Sequence, residues 1–262
     1  MAPVLRRWLG VNLFRAENID TDAMGTFTGE IPRIGTMLET ARQKAKEAIR
    51  RTGAPLGVGS EGAFGPDPDI PFFASGSEIV LIYDARTDHE IYVHRRTRTN
   101  YDRIIVSPDQ DPAIFLNRIG FPAHAIIIRP EICADSQVII KGVQTPETVN
   151  EQIRSMADQS ETGRAIIQTD MRAHLNPARM KSIGFVTKHL AVRARRLCPD
   201  CALPGFGPVD VVRGLPCAEC ATPTSRIKAV TYSCRGCSCK QNRHVRHIDY
   251  RADPAHCPQC NP

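Results

Sequence analysis

Four Cys-x-x-Cys pairs lie in the last quarter of this 262-residue chain, and they constrain its fold more than any other feature. The segment that holds them is rich in proline and glycine and poor in large apolar side chains, so hydrophobic burial alone cannot stabilise it. A Cys-x-x-Cys turn points two sulfurs at one centre, and two such turns complete a tetrahedron around zinc. The sequence therefore predicts two structural Zn²⁺ ions with eight ligands: Cys198, Cys201, Cys217, Cys220, Cys234, Cys237, Cys257 and Cys260.

The spacing of the pairs favours, as a first interpretation, zinc sites made by pairs that are neighbours in the chain. The first and second pairs are fifteen residues apart and the third and fourth are nineteen apart, which is typical of zinc ribbons. Nested and crossed pairing stay open, because connectivity does not follow from sequence. Four sulfurs on each ion leave no open position for water or substrate, so these sites are predicted to be structural and any catalysis is expected upstream.

Two further cysteines, Cys133 and Cys239, fall outside the pairs. Cys239 could replace Cys237 as a ligand, but the four regular pairs favour Cys239 as a spectator beside a ligand turn. Thiols arranged for zinc rather than for disulfides indicate a reducing compartment, and we expect a cytoplasmic protein.

The composition is that of a globular protein, with 42% hydrophobic and 24% charged residues. No run approaches the eighteen or so apolar residues of a membrane helix, and Arg6, Arg7 and Asn12 interrupt the segment Met1–Phe14. Neither a membrane span nor a leader is predicted. The formal net charge of +6 would fall to about +2 with eight thiolates on two Zn²⁺ ions, so overall charge is a weak indicator of nucleic-acid binding.

Basic residues are concentrated in two places. Seven Lys or Arg and no acid lie from Met171 to Arg196, where anionic ligands could gather, although the cations after Lys188 are expected to form a solvated helix face. The few aromatic residues after Phe206 argue against a stacking site for single-stranded bases in the zinc module. That module could still bind nucleic acid or a protein partner through its basic residues: Arg226, Lys228, Lys240, Arg243, Arg246 and Arg251.

Upstream of the cysteines, short β-branched runs alternate with amphipathic stretches. This pattern predicts an α/β domain at residues 1–196, with a mixed sheet and flanking helices, followed by the Cys-rich domain at residues 197–262. The capping box Thr36-Met37-Leu38-Glu39 predicts a helix that ends at Gly53. A short buried strand is predicted at 56–60, followed by an irregular loop over Glu61–Pro66. Glu61 would then lie where a strand ends.

Further elements follow from local patterns. A polar four-residue turn between two β-rich runs predicts a hairpin over 78–93. A helix is expected from Thr145-Pro146 to about Asp158, and strands are expected at 125–129, 138–141 and 165–168. Asn176-Pro177 caps a last helix, whose apolar seam would consist of residues spaced by three or four: Met180, Ile183, Thr187, Leu190, Ala194 and Leu197.

Several motifs along the chain are together too specific for chance. They are Asp20-Thr21-Asp22, Gly25-Thr26-Phe27-Thr28-Gly29-Glu30, Ser60-Glu61-Gly62-Ala63-Phe64-Gly65-Pro66, Phe121-Pro122-Ala123-His124, the run from Thr169 to Met180 and the terminal Cys257-x-x-Cys260-Asn261-Pro262. They resemble an uncharacterised bacterial family known as the domain of unknown function DUF6671, and the resemblance implies no activity. It does imply a further strand and a Lys-His-Gly-Lys-Glu-like loop in family members. The resemblance leaves two expectations open for this chain, a translation start upstream of Met1 or loss of that strand.

A more distant resemblance supplies a mechanism. The segment from Thr36 to Phe64 is similar to the house-cleaning pyrophosphatases that hydrolyse inosine and xanthosine triphosphates. Their Glu-Asn-Ala-x-x-Lys-Ala helix is matched by Glu39-Thr40-Ala41-Arg42-Gln43-Lys44-Ala45, and a strand ending in an acid follows. Those enzymes carry an acidic pair at that strand end, where this chain has Ser60-Glu61.

The second resemblance implies a Mg²⁺-dependent nucleotide pyrophosphohydrolase. Glu39 and Glu61 would hold Mg²⁺ on the phosphates, and Glu61 would activate the attacking water. The bound nucleotide would contact four side chains: Lys44, Arg172, His174 and Arg179.

Other interpretations compete for the same residues. Glu39 already has a structural role as the third residue of a capping box. Asp170 and Arg172 could pair with each other or cap the next helix, and His124 is favoured as a core or turn residue. Two functions therefore stay open, the hydrolase and a catalytically inactive zinc-ribbon protein that binds nucleic acid or a protein partner.

Overall fold

The structure is a computed structural model that describes residues 1–17, 19, 24–25, 31–33, 35–245 and 250–262. The chain divides into two compact units, Met1–Leu190 and Ala191–Pro262. The first is a mixed α/β fold and the second is rich in cysteine, so the predicted fold class is confirmed. In the described ranges no helix is long and apolar enough to cross a membrane. The motif Asp20-Thr21-Asp22, most of the 25–30 motif and Arg246 lie outside the described residues.

The first sheet of the α/β unit is an antiparallel meander with a helix on one face. Helix α1 spans Ala2–Leu9 and helix α2 spans Met37–Thr52, and the strands are β1 Leu56–Pro66, β2 Ala74–Asp84 and β3 His89–Arg98, in the order β1-β2-β3. The predicted hairpin is the β2–β3 pair. Helix α2 packs on the sheet through Ala41 and Ala45, which meet Ile79 and Leu81 of β2.

Both ends of helix α2 are where the sequence predicts them. The Thr36 hydroxyl accepts a hydrogen bond from the Glu39 backbone N–H, and the Glu39 carboxylate accepts one from the Thr36 backbone N–H. Gly53 ends the helix with a φ of 67°, a left-handed conformation that suits glycine. The capping box is therefore confirmed.

The predicted loop over Glu61–Pro66 is wrong, because β1 continues through these residues. Glu61 pairs with Ile79 of β2 and lies in the middle of the strand. The glycines of β1 do not break the strand, and glycine in a strand often marks a place where another backbone approaches closely. A Cβ atom on Gly59 would overlap the carbonyl oxygen of Ala41 in α2. The glycine thus allows the helix to lie directly on the strand.

The second sheet of this unit has four strands. They are β4 Arg103–Val106, β5 Ile126–Pro130, β6 Ile140–Val143 and β7 Ala165–Thr169, and they are accompanied by helices α3 Ala113–Ile119 and α4 Val149–Asp158. The order is β4-β7-β5-β6, and neighbouring strands are antiparallel. Helix α4 packs on the sheet through Ile153, which joins a core with Ile126, Ile128 and Ile167. The strands and the helix predicted for this region are confirmed to within a few residues.

Helix α5, Pro177–Ala194, begins where the sequence predicts. Asn176 caps it, because its Oδ1 accepts a hydrogen bond from the Arg179 backbone N–H at 3.0 Å. The predicted seam is wrong at both ends, since Met180 is 48% and Leu197 is 58% exposed. Arg179 turns inward in the first turn instead. The middle of the seam is confirmed, and the buried stripe consists of Ile183, Val186, Thr187, Leu190 and Ala191.

The second unit is built on a three-stranded antiparallel meander. Strands β8 Gly207–Arg213, β9 Ile227–Ser233 and β10 Lys240–His244 lie in the order β10-β9-β8. The first Cys-x-x-Cys turn precedes β8, and the third lies between β9 and β10. In the part of this unit that the structure describes, few large apolar side chains are buried besides Phe206 and Leu215. A core of this size agrees with the expectation that metal stabilises the unit.

Candidate functional site

The eight paired cysteines form two sets of four. The first set is Cys198, Cys201, Cys234 and Cys237, and the second set is Cys217, Cys220, Cys257 and Cys260. Within each set the four Sγ atoms all lie within 4.8 Å of one another. Individual Sγ–Sγ separations are 3.6 Å twice in the first set and 3.5 and 3.9 Å in the second. A tetrahedron with Zn–S bonds of about 2.3 Å has edges of about 3.8 Å. Both sets therefore have the dimensions of a four-thiolate metal site.

The sets join the first pair to the third and the second pair to the fourth, so the sequential pairing expected first is wrong. The meander explains this crossed arrangement. Strand β8 starts beside the first pair, and β9 returns there, since Gly207 pairs with Ser233, which precedes Cys234. Strand β10 then runs back from Ser233, and His244 lies opposite Ala229. A seven-residue strand is about 20 Å long, so the first and second pairs lie at opposite ends of the sheet.

Hydrogen bonds within the cysteine turns lower the pKa of one cysteine in each set. The Gly236 backbone N–H donates to Cys234 Sγ at 3.3 Å. Hydrogen bonds from the Thr222 side chain and backbone lower the pKa of Cys220 to about 6. Burial raises the pKa of Cys198, but backbone hydrogen bonds from the same turn outweigh it and bring the pKa to about 6. Each set thus contains a thiol disposed to ionise, which is the form that binds metal.

Cys239 is buried beside the first set but is not one of its four members. Its carbonyl oxygen accepts a hydrogen bond from the Cys234 backbone N–H at 3.0 Å. Burial, together with Asp200 and Cys198, raises the pKa of the Cys239 thiol to about 12. Cys237 completes the set, as the regular spacing of the pairs indicates.

Glu61 is the buried centre of an ion-pair cluster beneath helix α2. Its side chain is 4% exposed. Lys44 Nζ donates to Glu61 Oε2 at 2.6 Å, and Arg33 Nη2 donates to Glu61 Oε1 at 2.8 Å. Arg33 also donates to the carbonyl oxygen of Gly62 at 2.7 Å. The structure therefore brings together two predicted site residues, Lys44 and Glu61, which are 17 positions apart in the sequence.

Glu39 is engaged elsewhere. It is exposed, and its Oε2 accepts hydrogen bonds from the backbone and hydroxyl of Thr36 at 2.7 and 2.9 Å, which lowers the pKa of Glu39. Among the residues that the structure describes, the groupings of three or more metal-ligating side chains are the two cysteine sets alone. The described carboxylates thus do not assemble a Mg²⁺ site of several acids.

Arg179 lies on the opposite face of the first sheet from Glu61. Its Nε donates to Glu78 Oε1 at 2.7 Å, and its Nη1 donates to the Met171 carbonyl oxygen. Gly62 pairs with Glu78, whereas Glu61 pairs with Ile79, so the two carboxylates point to opposite faces. Burial raises the pKa of Glu78, although the hydrogen bond from Arg179 opposes the rise. This pair anchors the start of α5 to β2.

Arg172 and His174 lie after β7, on the second sheet. The Arg172 backbone N–H and guanidinium donate to the fully buried Asp170 at 2.6 to 3.1 Å, so of the alternatives left open by the sequence the structure shows these two residues paired with each other. His174 is exposed in a one-turn 3₁₀ helix, Ala173–Leu175. His124 Nε2 accepts a hydrogen bond from the Ala178 backbone N–H at 3.2 Å, in agreement with a turn role.

Three charged residues in these ion pairs were not predicted from the sequence: Glu78, Glu90 and Arg33. Glu78 and Glu90 occur within strand patterns, and a carboxylate that is buried in a strand needs a charged or hydrogen-bonding partner. That pattern could have indicated both residues. Glu90 accepts hydrogen bonds from Arg42 of α2 at 2.6 and 2.9 Å. Arg33 precedes the capping box and carries no pattern that indicates a site.

The fold and the cysteine sets define the class to which this protein belongs. Its members have an α/β unit followed by a unit that carries two four-cysteine sites in crossed arrangement. Residues 44–262 match the family model described as "Domain of unknown function (DUF6671)". The chain belongs to that family. The match begins at Lys44, so Glu39 and α1 precede it, and the ten strands found in the described residues lie within it. No curated protein and no solved structure matches the chain.

Proposed function

We propose that this chain is a zinc protein whose second unit holds two structural Zn²⁺ ions and whose α/β unit hydrolyses nucleoside triphosphates to monophosphate and pyrophosphate. The tetrahedral dimensions of the cysteine sets support the zinc assignment. The contact of Lys44 and Arg33 with the buried Glu61 carboxylate is the observation that carries the hydrolase.

The charge balance around Glu61 suits a polyphosphate ligand. Two cations on one carboxylate leave an excess positive charge, and low exposure strengthens its attraction for an anion. Phosphate oxygens would draw Lys44 and Arg33 away from Glu61. The carboxylate then accepts a proton from a water molecule, the water oxygen bonds to the α-phosphorus, and the bond to the bridging oxygen breaks so that pyrophosphate leaves. Arg172 and His174 stay candidates for contact with the rest of the nucleotide.

Arg179 has a different role in this proposal. It is buried against Glu78 and Met171 and stacks over the Phe64 ring, with 5.1 Å between the guanidinium carbon and the ring centroid. We therefore assign it to positioning of β1 rather than to contact with the nucleotide.

A matched pair of variants tests the hydrolase. Glu61→Gln and Glu90→Gln each remove the charge from a buried carboxylate that pairs with α2. The measurement is pyrophosphate release from inosine, xanthosine and adenosine triphosphates, with and without Mg²⁺. The proposal expects Glu61→Gln to lower kcat by about 100-fold or more, as for loss of a general base, and Glu90→Gln to keep the activity. Equal rates for wild type and Glu61→Gln would remove Glu61 from the reaction.

The alternative is a catalytically inactive protein whose zinc unit binds nucleic acid or a protein partner. Residues 191–262 contain eleven Lys or Arg against five Asp or Glu, which favours an anionic partner. Absence of pyrophosphate release from every nucleotide, combined with salt-sensitive retention on a polyanion column, would favour this alternative.

A further inference from the structure

One face of the β10-β9-β8 sheet brings basic side chains together with the aromatic ring of Tyr232. Residues that pair across strands point to the same face. Tyr232 pairs with Gln241, and Val230 pairs with both Arg243 and Val211. We call this surface the basic face and define it by Val211, Lys228, Val230, Tyr232, Gln241 and Arg243 together with Arg196, which reaches the Tyr232 ring.

Arginine and tyrosine form a stack on the basic face. The guanidinium carbon of Arg243 lies 4.6 Å from the centroid of the Tyr232 ring and 5.8 Å from that of Phe206. Arg196 lies 5.9 Å from the Tyr232 ring. Arg243 also donates to Gln241 Oε1 at 3.3 Å. The aromatic residues of this unit are few, but the fold gathers two of them beneath one guanidinium.

The charge of the basic face has a single sign among the residues that the structure describes. Its cations, Lys228, Arg243 and Arg196, are all exposed. Asp210 pairs with Thr231 and therefore points to the opposite face. The other described acids of the unit lie outside the strands: Asp200, Glu219 and Asp253.

We propose that the basic face binds single-stranded nucleic acid. A guanidinium held over an aromatic ring offers a flat surface on which an unpaired base can stack, and the flanking cations can contact consecutive phosphates. In a duplex the faces of the bases are covered by neighbouring base pairs. A duplex could therefore contact the cations through its phosphates, but its bases could not stack on the guanidinium. The proposal concerns the second unit alone and stands whether or not Glu61 is catalytic.

Two substitutions on the same strand provide a matched test with the full-length zinc-loaded chain. Arg243 and Lys240 are both exposed residues of β10, but Lys240 pairs with Ser233 and points to the opposite face. The probe is fluorescein-labelled oligo-dT, and its anisotropy is measured at several salt concentrations. We expect binding at low salt with a log–log salt slope of about −2 for three phosphate contacts, and about ten-fold weaker binding for Arg243→Gln. Lys240→Gln should change the Kd less than about two-fold, as expected for a charge away from the contact.

Zinc content, measured on each variant, separates loss of binding from loss of folding. If Arg243→Gln loses zinc, Lys228→Gln replaces it, since Lys228 is exposed on the same face. No binding at low salt, equal weakening by Lys240→Gln, or tighter binding of the matching duplex than of oligo-dT would each overturn the proposal.

Discussion

Arg179 donates a 2.7 Å hydrogen bond to Glu78, 101 positions away in the sequence, and both side chains are almost completely buried. The contact joins the first turn of α5 to the middle of β2. Gly62 leaves room for it, because a Cβ atom at that position would lie 2.6 Å from Arg179 Nη2. Arg179 belongs to the motif from Thr169 to Met180, so one residue of this motif serves the assembly of the α/β unit.

Arg179→Met should destabilise the α/β unit strongly. It leaves the Glu78 carboxylate buried without its charge partner, and breaking one side of a buried pair costs about 3–5 kcal/mol. Urea unfolding measures the free energy, and the double variant Glu78→Leu/Arg179→Met serves as control because it removes both charges. A loss below about 1 kcal/mol, typical of an exposed pair, would contradict the burial described here.

The same variant should depend on pH in a defined direction. Burial raises the pKa of Glu78 in the folded chain above its ordinary value of 4.5, and loss of Arg179 removes an interaction that opposes this rise. The folded state then binds a proton more tightly than the unfolded state, so the free energy of unfolding falls as pH rises above about 4.5. Arg179→Met should therefore lose less stability at pH 5 than at pH 8. A larger loss at pH 5 would contradict the assignment.

Two glycines should respond in opposite ways to alanine. A Cβ atom at Gly59 overlaps the Ala41 carbonyl oxygen, whereas at Gly184 in α5 it meets no other atom within 4 Å. Gly59→Ala should destabilise the chain by about 1–3 kcal/mol or more through overpacking, and Gly184→Ala should stabilise it by about 0.5–1 kcal/mol through helix propensity. Thermal unfolding of both variants checks this, and a neutral Gly59→Ala would show that α2 lies farther from β1.

Cys239 should be dispensable for metal binding although it lies beside the first set. Cys239→Ser should retain about two zinc ions per chain, while Cys237→Ser should lose the ion of the first set because a four-sulfur site is left incomplete. Zinc is quantified by mass spectrometry after dialysis against a weak chelator. Equal zinc loss in both variants would make Cys239 a ligand.

Local signals were sufficient for part of this structure. The capping box at Thr36, the hairpin of β2 and β3 and the cap at Asn176 are formed by neighbouring residues, and each is present. The loop predicted at Glu61–Pro66 is wrong because glycine was interpreted by its backbone freedom, whereas Gly62 leaves room for the Arg179 side chain beside the strand.

Non-local topology accounts for the other differences. Spacing shows that each Cys-x-x-Cys turn supplies two sulfurs, but the partner of a turn depends on where β8 and β9 carry the chain. Lys44 and Glu61 were each predicted as site residues, but neither their contact nor that of Arg33 could be predicted, because both depend on fold contacts 17 and 28 positions away in the sequence.

Crossed pairing of the cysteine turns is the central structural claim, and zinc content of two double variants tests it most directly. Cys198 and Cys237 belong to one set, whereas Cys198 and Cys220 belong to different sets. The crossed arrangement predicts about one zinc ion per chain for Cys198→Ser/Cys237→Ser, which leaves the other set intact, and almost none for Cys198→Ser/Cys220→Ser, which removes one sulfur from each set, since a four-sulfur site that lacks even one ligand does not hold zinc. Retention of one ion by Cys198→Ser/Cys220→Ser, with none in the other variant, would establish sequential pairing and contradict this account.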